Sequence, residues 1–123
     1  MAKRVFISFD FDNDKVLKDF MVGQSRLKDS PFEIYDWSLK ESAPEEDWED
    51  EARKKIKRSD IVLVMVGEKT YKASGVLKEV KITRDEEIKI VQMIGYRDKD
   101  YTAVSGAGRL YSWNWENLKN LLS

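Results

Sequence analysis

The stretch of sequence that decides the fold is Ile61–Val66, IVLVMV, in which every side chain is apolar. A strand with one face in water alternates apolar and polar residues. A run that is apolar throughout is typical of a parallel strand covered on both faces. Gly67 follows directly and predicts the end of the strand. We therefore expect a parallel sheet with this strand near its middle.

Shorter patterns of the strand and helix type alternate on both sides of this stretch. Strands are predicted over residues 5–9 (VFISF), 32–35 (FEIY) and 88–94 (IKIVQMI). Helices are predicted over 16–27 and over 76–86. A third helix is predicted between them, with a capping-box start at Ser42 and Glu45 and a buried stripe of Trp48, Ala52 and Ile56. A polar loop over 97–109 leads to a short closing helix, which Asn114 caps and whose inner face carries Trp115, Leu118 and Leu122.

Alternating strands and helices predict right-handed crossovers and an α/β fold. We expect a small flavodoxin-like, doubly wound parallel sheet of four to five strands, in the order 2-1-3-4, with helices on both faces. The chain of 123 residues contains no repeat, linker or low-complexity segment. Its length suits one core, so residues 1–123 are predicted to form a single domain.

Composition removes several classes of function. The chain has no cysteine and no histidine, which excludes zinc sites built from them and Ser-His or Cys-His nucleophiles. Any catalytic group is expected to be a carboxylate first. The 22 basic and 23 acidic residues nearly cancel to a net charge of −1, so neither nucleic acid nor a membrane is an expected partner. With no secretory leader or apolar span in the sequence, we expect a cytoplasmic location.

In an open α/β sheet, ligands bind beyond the carboxyl ends of the strands, where the strand order reverses. For the order 2-1-3-4, that point lies between strands one and three. Loops 8–12 and 67–79 line it, with 36–38 next nearest. Phe9 beside Asp10 suits a flat base and a ribose, because a ring stacks and a carboxylate accepts from hydroxyls. The alternative is that Phe9 is core and that Asp10, Asp12 and Asp14 cap a helix.

Missing motifs argue against an ordinary Rossmann dinucleotide domain and against a P-loop NTPase. The first predicted strand is not followed by G-x-G-x-x-G, and no Walker A sequence occurs. A phospho-acceptor of the receiver type requires an aspartate at the end of strand three, where Gly67 stands instead. We predict no metal site and no prosthetic group.

Four segments resemble the TIR-like family, in the branch typified by the Thoeris anti-phage TIR protein. They are RVFISFDFDND (4–14), IYDWSLKE (34–41), SDIVLVMVGEKTYKASGVLKEV (59–80) and LYSWNWENL (110–118). The third is the most specific, because its strand ends in glycine and leads to a threonine, a serine and a hydrophobic-x-x-Glu helix start. The resemblance extends over nearly the whole chain.

The resemblance implies a function. TIR-like enzymes cleave the nicotinamide–ribose bond of NAD⁺, and several cyclise the ADP-ribose into a signal. Glu79 holds the place of the family's catalytic glutamate. Phe9 and Asp10 are then expected beside the ribose and base, and Asp36 or Trp37 would close the pocket. Thr70 and Ser74 complete the expected nucleotide-binding set.

One departure keeps a second function open. The branch commonly carries a tryptophan four residues before the glutamate, and Gly75 stands there in this chain. The leading prediction is an NAD⁺-consuming enzyme that self-associates and signals to an effector in anti-phage defence. The alternative is a non-catalytic TIR-like scaffold or sensor. A weaker third possibility is a flavodoxin-like binder of another nucleotide.

Overall fold

A computed structural model describes residues 3–39, 45–96 and 99–122. The strands are β1 (Lys3–Ser8), β2 (Phe32–Trp37), β3 (Ile61–Val66), β4 (Lys89–Ile94) and β5 (Leu110–Ser112). The helices are α1 (Lys15–Ser25), α2 (Glu45–Lys57), α3 (Ser74–Asp85) and α4 (Trp115–Leu122), with a 3₁₀ turn over Thr70–Lys72. The predicted capping serine of α2, Ser42, lies outside the described residues.

The five strands form one parallel sheet in the order β2-β1-β3-β4-β5. This confirms the predicted order 2-1-3-4 and adds a fifth strand at the edge. Strand β3 lies in the middle and is buried at all six positions, as its unbroken apolar run predicts. The sequence does not predict β5, because three residues are too few to show alternation.

Buried side chains form two cores, one on each face of the sheet. The core on one face includes Leu17 and Met21 of α1 and Leu118 of α4. The core on the other face includes Ile56 of α2 and Val80 of α3. The prediction of helices on both faces is therefore confirmed. Among the described helices, none is long and apolar enough to cross a membrane.

Several element boundaries differ from the predicted ones, and three of the differences concern β2, α3 and α1. Strand β2 continues to Trp37, so Asp36 and Trp37 belong to the strand, and their placement in a loop was wrong. Helix α3 begins at Ser74, two residues before its predicted start. Helix α1 ends at Ser25, before Leu27, which is exposed; an exposed leucine gives the helix no burial that would extend it.

Candidate functional site

A cleft of about 390 Å³ opens at the carboxyl ends of β1 and β3. The strand order reverses there, because β2 lies on one side of β1 and β3 on the other. This is where a doubly wound sheet binds ligands, and the volume is within the range of small-molecule sites. The lining comes from the loop after β1, residues 38–39, Trp48 of α2, and the segment 69–79. The expected location of the site is therefore occupied by a real cleft.

Glu79 lies at the bottom of this cleft, on the second turn of α3, with 1% of its surface exposed. Its carboxylate oxygen Oε1 accepts a hydrogen bond from Ser8 Oγ at 2.7 Å and another from Ser38 Oγ. Burying a carboxylate is costly unless its oxygens are hydrogen-bonded. Two serine hydroxyls thus hold this glutamate in one orientation facing the cleft.

The two serines come from different elements. Ser8 ends β1, and Ser38 directly follows β2. Ser38 Oγ also accepts from the backbone N–H of Phe9 at 3.1 Å, which links the chain after β2 to the exit of β1. Neither serine was predicted to have a role. Ser8 could have been found from the sequence, because it places a hydroxyl at the carboxyl end of an otherwise apolar strand.

The rim of the cleft combines charged and aromatic side chains. Lys69 and Lys72 line the side that leads to α3, and Phe11 and Trp48 contribute rings. Trp48 is almost fully buried, as its position on the apolar stripe of α2 predicts. Its Nε1 donates to the carbonyl of Leu39 at 3.3 Å, so this core residue also forms part of the wall.

Both residues of the predicted aromatic–carboxylate pair line the cleft, and Phe9 is also part of the core. Phe9 is 2% exposed and belongs to the core on the α1 side, which leaves its ring little surface for stacking. Phe11 is half-buried, with its ring centroid 6.0 Å from that of Phe9. Asp10 lines the cleft, and its Oδ2 accepts from Asn13 Nδ2 at 2.7 Å. Phe11 is thus the better placed aromatic side chain of the two.

The remaining predicted binding residues are not all brought to the cleft. Ser74, the first residue of α3, lines it. Asp36 instead pairs with Arg58 at 2.9 Å, and Trp37 packs against the core on the α1 side with the Lys18 ammonium 4.9 Å from its ring centroid. Thr70 is fully buried. A role of Asp36, Trp37 or Thr70 in nucleotide binding stays a prediction that this geometry does not favour.

Thr70 belongs to a buried polar cluster beside the cleft. Its Oγ1 accepts from the backbone N–H of Gly67 at 2.7 Å and lies 3.4 Å from Asp14 Oδ2, to which it donates. Tyr96 donates to Asp14 Oδ1 at 3.0 Å. A Cβ on Gly67 would lie 2.3 Å from Asp14 Oδ2, so only glycine lets the carboxylate approach this closely. The cluster joins the loops that follow β1, β3 and β4.

Burial governs the protonation of this cluster. It raises the pKa of Asp14, and the hydrogen bond from Tyr96 opposes that shift only in part. Burial also raises the pKa of Tyr96 to about 12, and its hydrogen bond to Asp14 adds to the shift. Tyr96 therefore stays a neutral donor at physiological pH. Asp14 occupies the N-cap position of α1 but makes no side-chain cap bond, so the predicted capping role is replaced by the bond with Tyr96.

Residues 6–100 match the family model of the Thoeris protein ThsB, TIR-like domain. The chain belongs to this family. The match begins within β1 and includes Glu79 and the predicted motifs around it from residue 6 onward. It ends before LYSWNWENL, whose resemblance stays a prediction. No curated protein matches the chain with significance. Membership supports a defence-related TIR-like protein.

The described part of the site offers carboxylates, hydroxyls and ammonium groups. No group of three or more Asp or Glu side chains suited to a metal ion occurs within residues 3–39, 45–96 and 99–122. The arrangement can orient a carboxylate against a cationic centre in the cleft. It can also neutralise a nearby anion through Lys69 and Lys72.

Proposed function

We propose that this ThsB-family domain cleaves the nicotinamide–ribose bond of NAD⁺ and releases an ADP-ribose-derived signal, cyclic or linear, for an effector in anti-phage defence in the cytoplasm. The observation that carries the proposal is Glu79, a buried carboxylate at the bottom of the cleft at the strand-order reversal. NAD⁺ is the substrate in this proposal, and no prosthetic group is required.

The chemistry suits a site without histidine. The bond between C1′ and the nicotinamide nitrogen breaks, and its electron pair neutralises the pyridinium, so the leaving group needs no proton. Positive charge develops on the ribose as an oxocarbenium ion. A fixed carboxylate stabilises that charge more in the transition state than in the ground state, which is what accelerates the step. Water or a hydroxyl of the same molecule then bonds to C1′ and loses a proton.

The serine pair supports this role for Glu79. A carboxylate that must reorganise during the reaction loses part of its stabilising effect, whereas one held in place beforehand does not. Ser8 and Ser38 donate to the same oxygen of Glu79. In this proposal Phe11 and Asp10 contact the base and the ribose hydroxyls, and Lys69 and Lys72, which line the same cleft, contact phosphate.

The test is nicotinamide release from NAD⁺ by the concentrated protein, compared with Glu79→Gln. Glutamine keeps the shape and an acceptor for both serines but removes the charge. We expect release by the wild type and a fall of at least about a hundredfold in the variant, the size of effect typical for losing one electrostatic stabiliser. Glu33→Gln, on the exposed side of β2, is the matched control and should retain full activity.

A second function is favoured by Gly75, which lines the cleft where the resemblance places a tryptophan. Without the tryptophan ring, the wall of the cleft at Gly75 is left open. If neither dilute nor self-associated protein releases nicotinamide, while Glu79→Gln keeps the native melting temperature, the enzyme proposal is wrong. The domain would then act as a TIR-like scaffold or sensor through protein contacts.

A further inference from the structure

A second cavity, of about 330 Å³, lies beside the Glu79 cleft, over the ends of β3 and β4. Its lining is Asn13, Asp14, Glu68, Lys69, Tyr96 and Lys99. Asn13 and Lys69 also line the cleft. The two cavities therefore meet at this pair of side chains, along the carboxyl edge of the sheet.

The chemistry of the second cavity differs from that of the cleft. The Lys99 ammonium lies 4.4 Å from the Tyr96 ring centroid and 3.7 Å from a carboxylate oxygen of Glu68. Lys69 stands at the boundary between the cleft and the second cavity. It takes part in none of the ion pairs found among the described residues. Two ammonium groups thus line the second cavity, and that of Lys69 stands where this cavity meets the cleft. A lysine ammonium is a common point-charge ligand for phosphate.

The wall of this cavity is held in place by the buried polar cluster. Asp14 accepts from Tyr96 on one oxygen and from Thr70 on the other. The Tyr96 hydroxyl is therefore directed at Asp14, and this hydrogen bond sets the position of the Tyr96 ring beside Lys99. A preorganised wall reduces the ordering cost of binding.

We propose that the two cavities together bind one dinucleotide. The half that carries the scissile bond lies in the Glu79 cleft, the pyrophosphate lies at Asn13 and Lys69, and the second nucleoside monophosphate lies in the cavity beside Lys99. This inference rests on the proposed function. Glu68 supplies an acceptor for a hydroxyl of the second ribose.

The test compares NAD⁺ with nicotinamide mononucleotide, which keeps the scissile bond and one phosphate but lacks the second nucleotide. Equilibrium binding is measured on the Glu79→Gln protein, so that neither compound is consumed. Adding Lys99→Ala should weaken NAD⁺ binding about tenfold, the loss expected for one charge-assisted contact, and leave the mononucleotide within about twofold. Adding Lys69→Ala should weaken both compounds. Lys119→Ala, on the exposed side of α4, should change neither.

Several results would overturn the inference. They are equal weakening of the binding of both compounds by Lys99→Ala, no effect of Lys99→Ala on the binding of either, or no binding of NAD⁺ by a folded protein.

Nicotinamide release by the otherwise wild-type chain separates the two proposals. If release occurs and Lys99→Ala leaves the KM for NAD⁺ unchanged, the two-cavity inference fails and the proposed function stands. If release is absent but Lys99→Ala weakens the binding of NAD⁺ and not that of nicotinamide mononucleotide, the dinucleotide site stands and the proposed function fails.

Discussion

Asp14 is a buried carboxylate whose charge the fold tolerates because two hydroxyls donate to it. Its partners, Thr70 and Tyr96, come from the loops after β3 and β4. Desolvation is the largest influence on its pKa and raises it above the ordinary value of 3.8. The folded protein consequently holds the Asp14 proton more tightly than the unfolded chain does.

The sign of the resulting pH dependence follows from that shift. The contribution of Asp14 to the free energy of unfolding is complete below pH 3.8 and is lost as the pH rises through the folded-state pKa. Asp14→Asn keeps an acceptor for Tyr96 without a titrating charge, so its stability relative to the wild type should increase as the pH rises through that window. Urea unfolding from about pH 3 to about pH 7 measures the difference.

The comparison needs a control because other carboxylates titrate over the same range. Arg4 donates to Asp60 and lowers its pKa, so Asp60 stabilises the protein above the unfolded-state pKa and loses that effect as the pH falls. This opposing contribution is common to the wild type and Asp14→Asn and cancels in their difference. Asp12→Asn, at an exposed site outside the cluster, is the matched control variant. A constant difference between Asp14→Asn and the wild type would contradict the prediction.

Among the helices, α4 depends most clearly on its cap. Asn114 Oδ1 accepts from the backbone N–H of Asn117 at 2.8 Å, which confirms the predicted N-cap. The helix has eight residues and is anchored by Leu118 and Leu122, both fully buried. An isolated helix of this length is not stable in water, so the cap and the buried pair together keep it folded.

Asn114→Ala should therefore lower the free energy of unfolding by about 1 kcal/mol, the usual loss when an N-cap acceptor is removed. Asn120→Ala lies on the exposed side of the same helix and should have a much smaller effect. Denaturant unfolding of both variants gives the comparison. Equal loss in the two variants would mean that the cap bond does not stabilise α4.

Strand β5 shows how tertiary contacts create an element that its own sequence does not specify. Gln92 of β4 is buried, and its side chain donates to the carbonyls of Val104 and Gly108 and accepts from the backbone N–H of Val104. These bonds place residues 104–108 so that Leu110 pairs with Gln92. A glutamine in a strand pattern does not reveal such distant backbone partners.

Across the domain as a whole, the Glu79 cleft is open to solvent along one side of the sheet edge. Interactions between a carboxylate and a developing cation weaken when water reaches them. The family resemblance implies assemblies in which a neighbour completes the site, so we expect nicotinamide release per molecule to rise with protein concentration. Sedimentation at the same concentrations should show self-association in parallel. Constant specific activity across a range in which the protein associates would contradict this expectation.

The sequence was sufficient for the fold class, the strand order and the location of a cleft at the strand-order reversal. Strand β3 is apolar at every position and specifies a doubly covered parallel strand, and right-handed crossovers leave few ways to arrange the rest. The position of Glu79 on α3 follows from the same order, because the helix after β3 begins at the point where the strand order reverses. These features depend on periodicity and chain direction, which a sequence carries locally.

Only the tertiary structure decided which side chains share the cleft. Phe9 and Phe11 both line the cleft, yet Phe9 is almost fully buried in the core whereas Phe11 is half-buried. Asp36 pairs with Arg58, and the register shift between Val5 and Phe6 lies beside it. Ser8 and Ser38 meet Glu79 across 71 and 41 residues of chain. Such contacts depend on pairing register and on where each loop turns, and both are set by packing between distant segments.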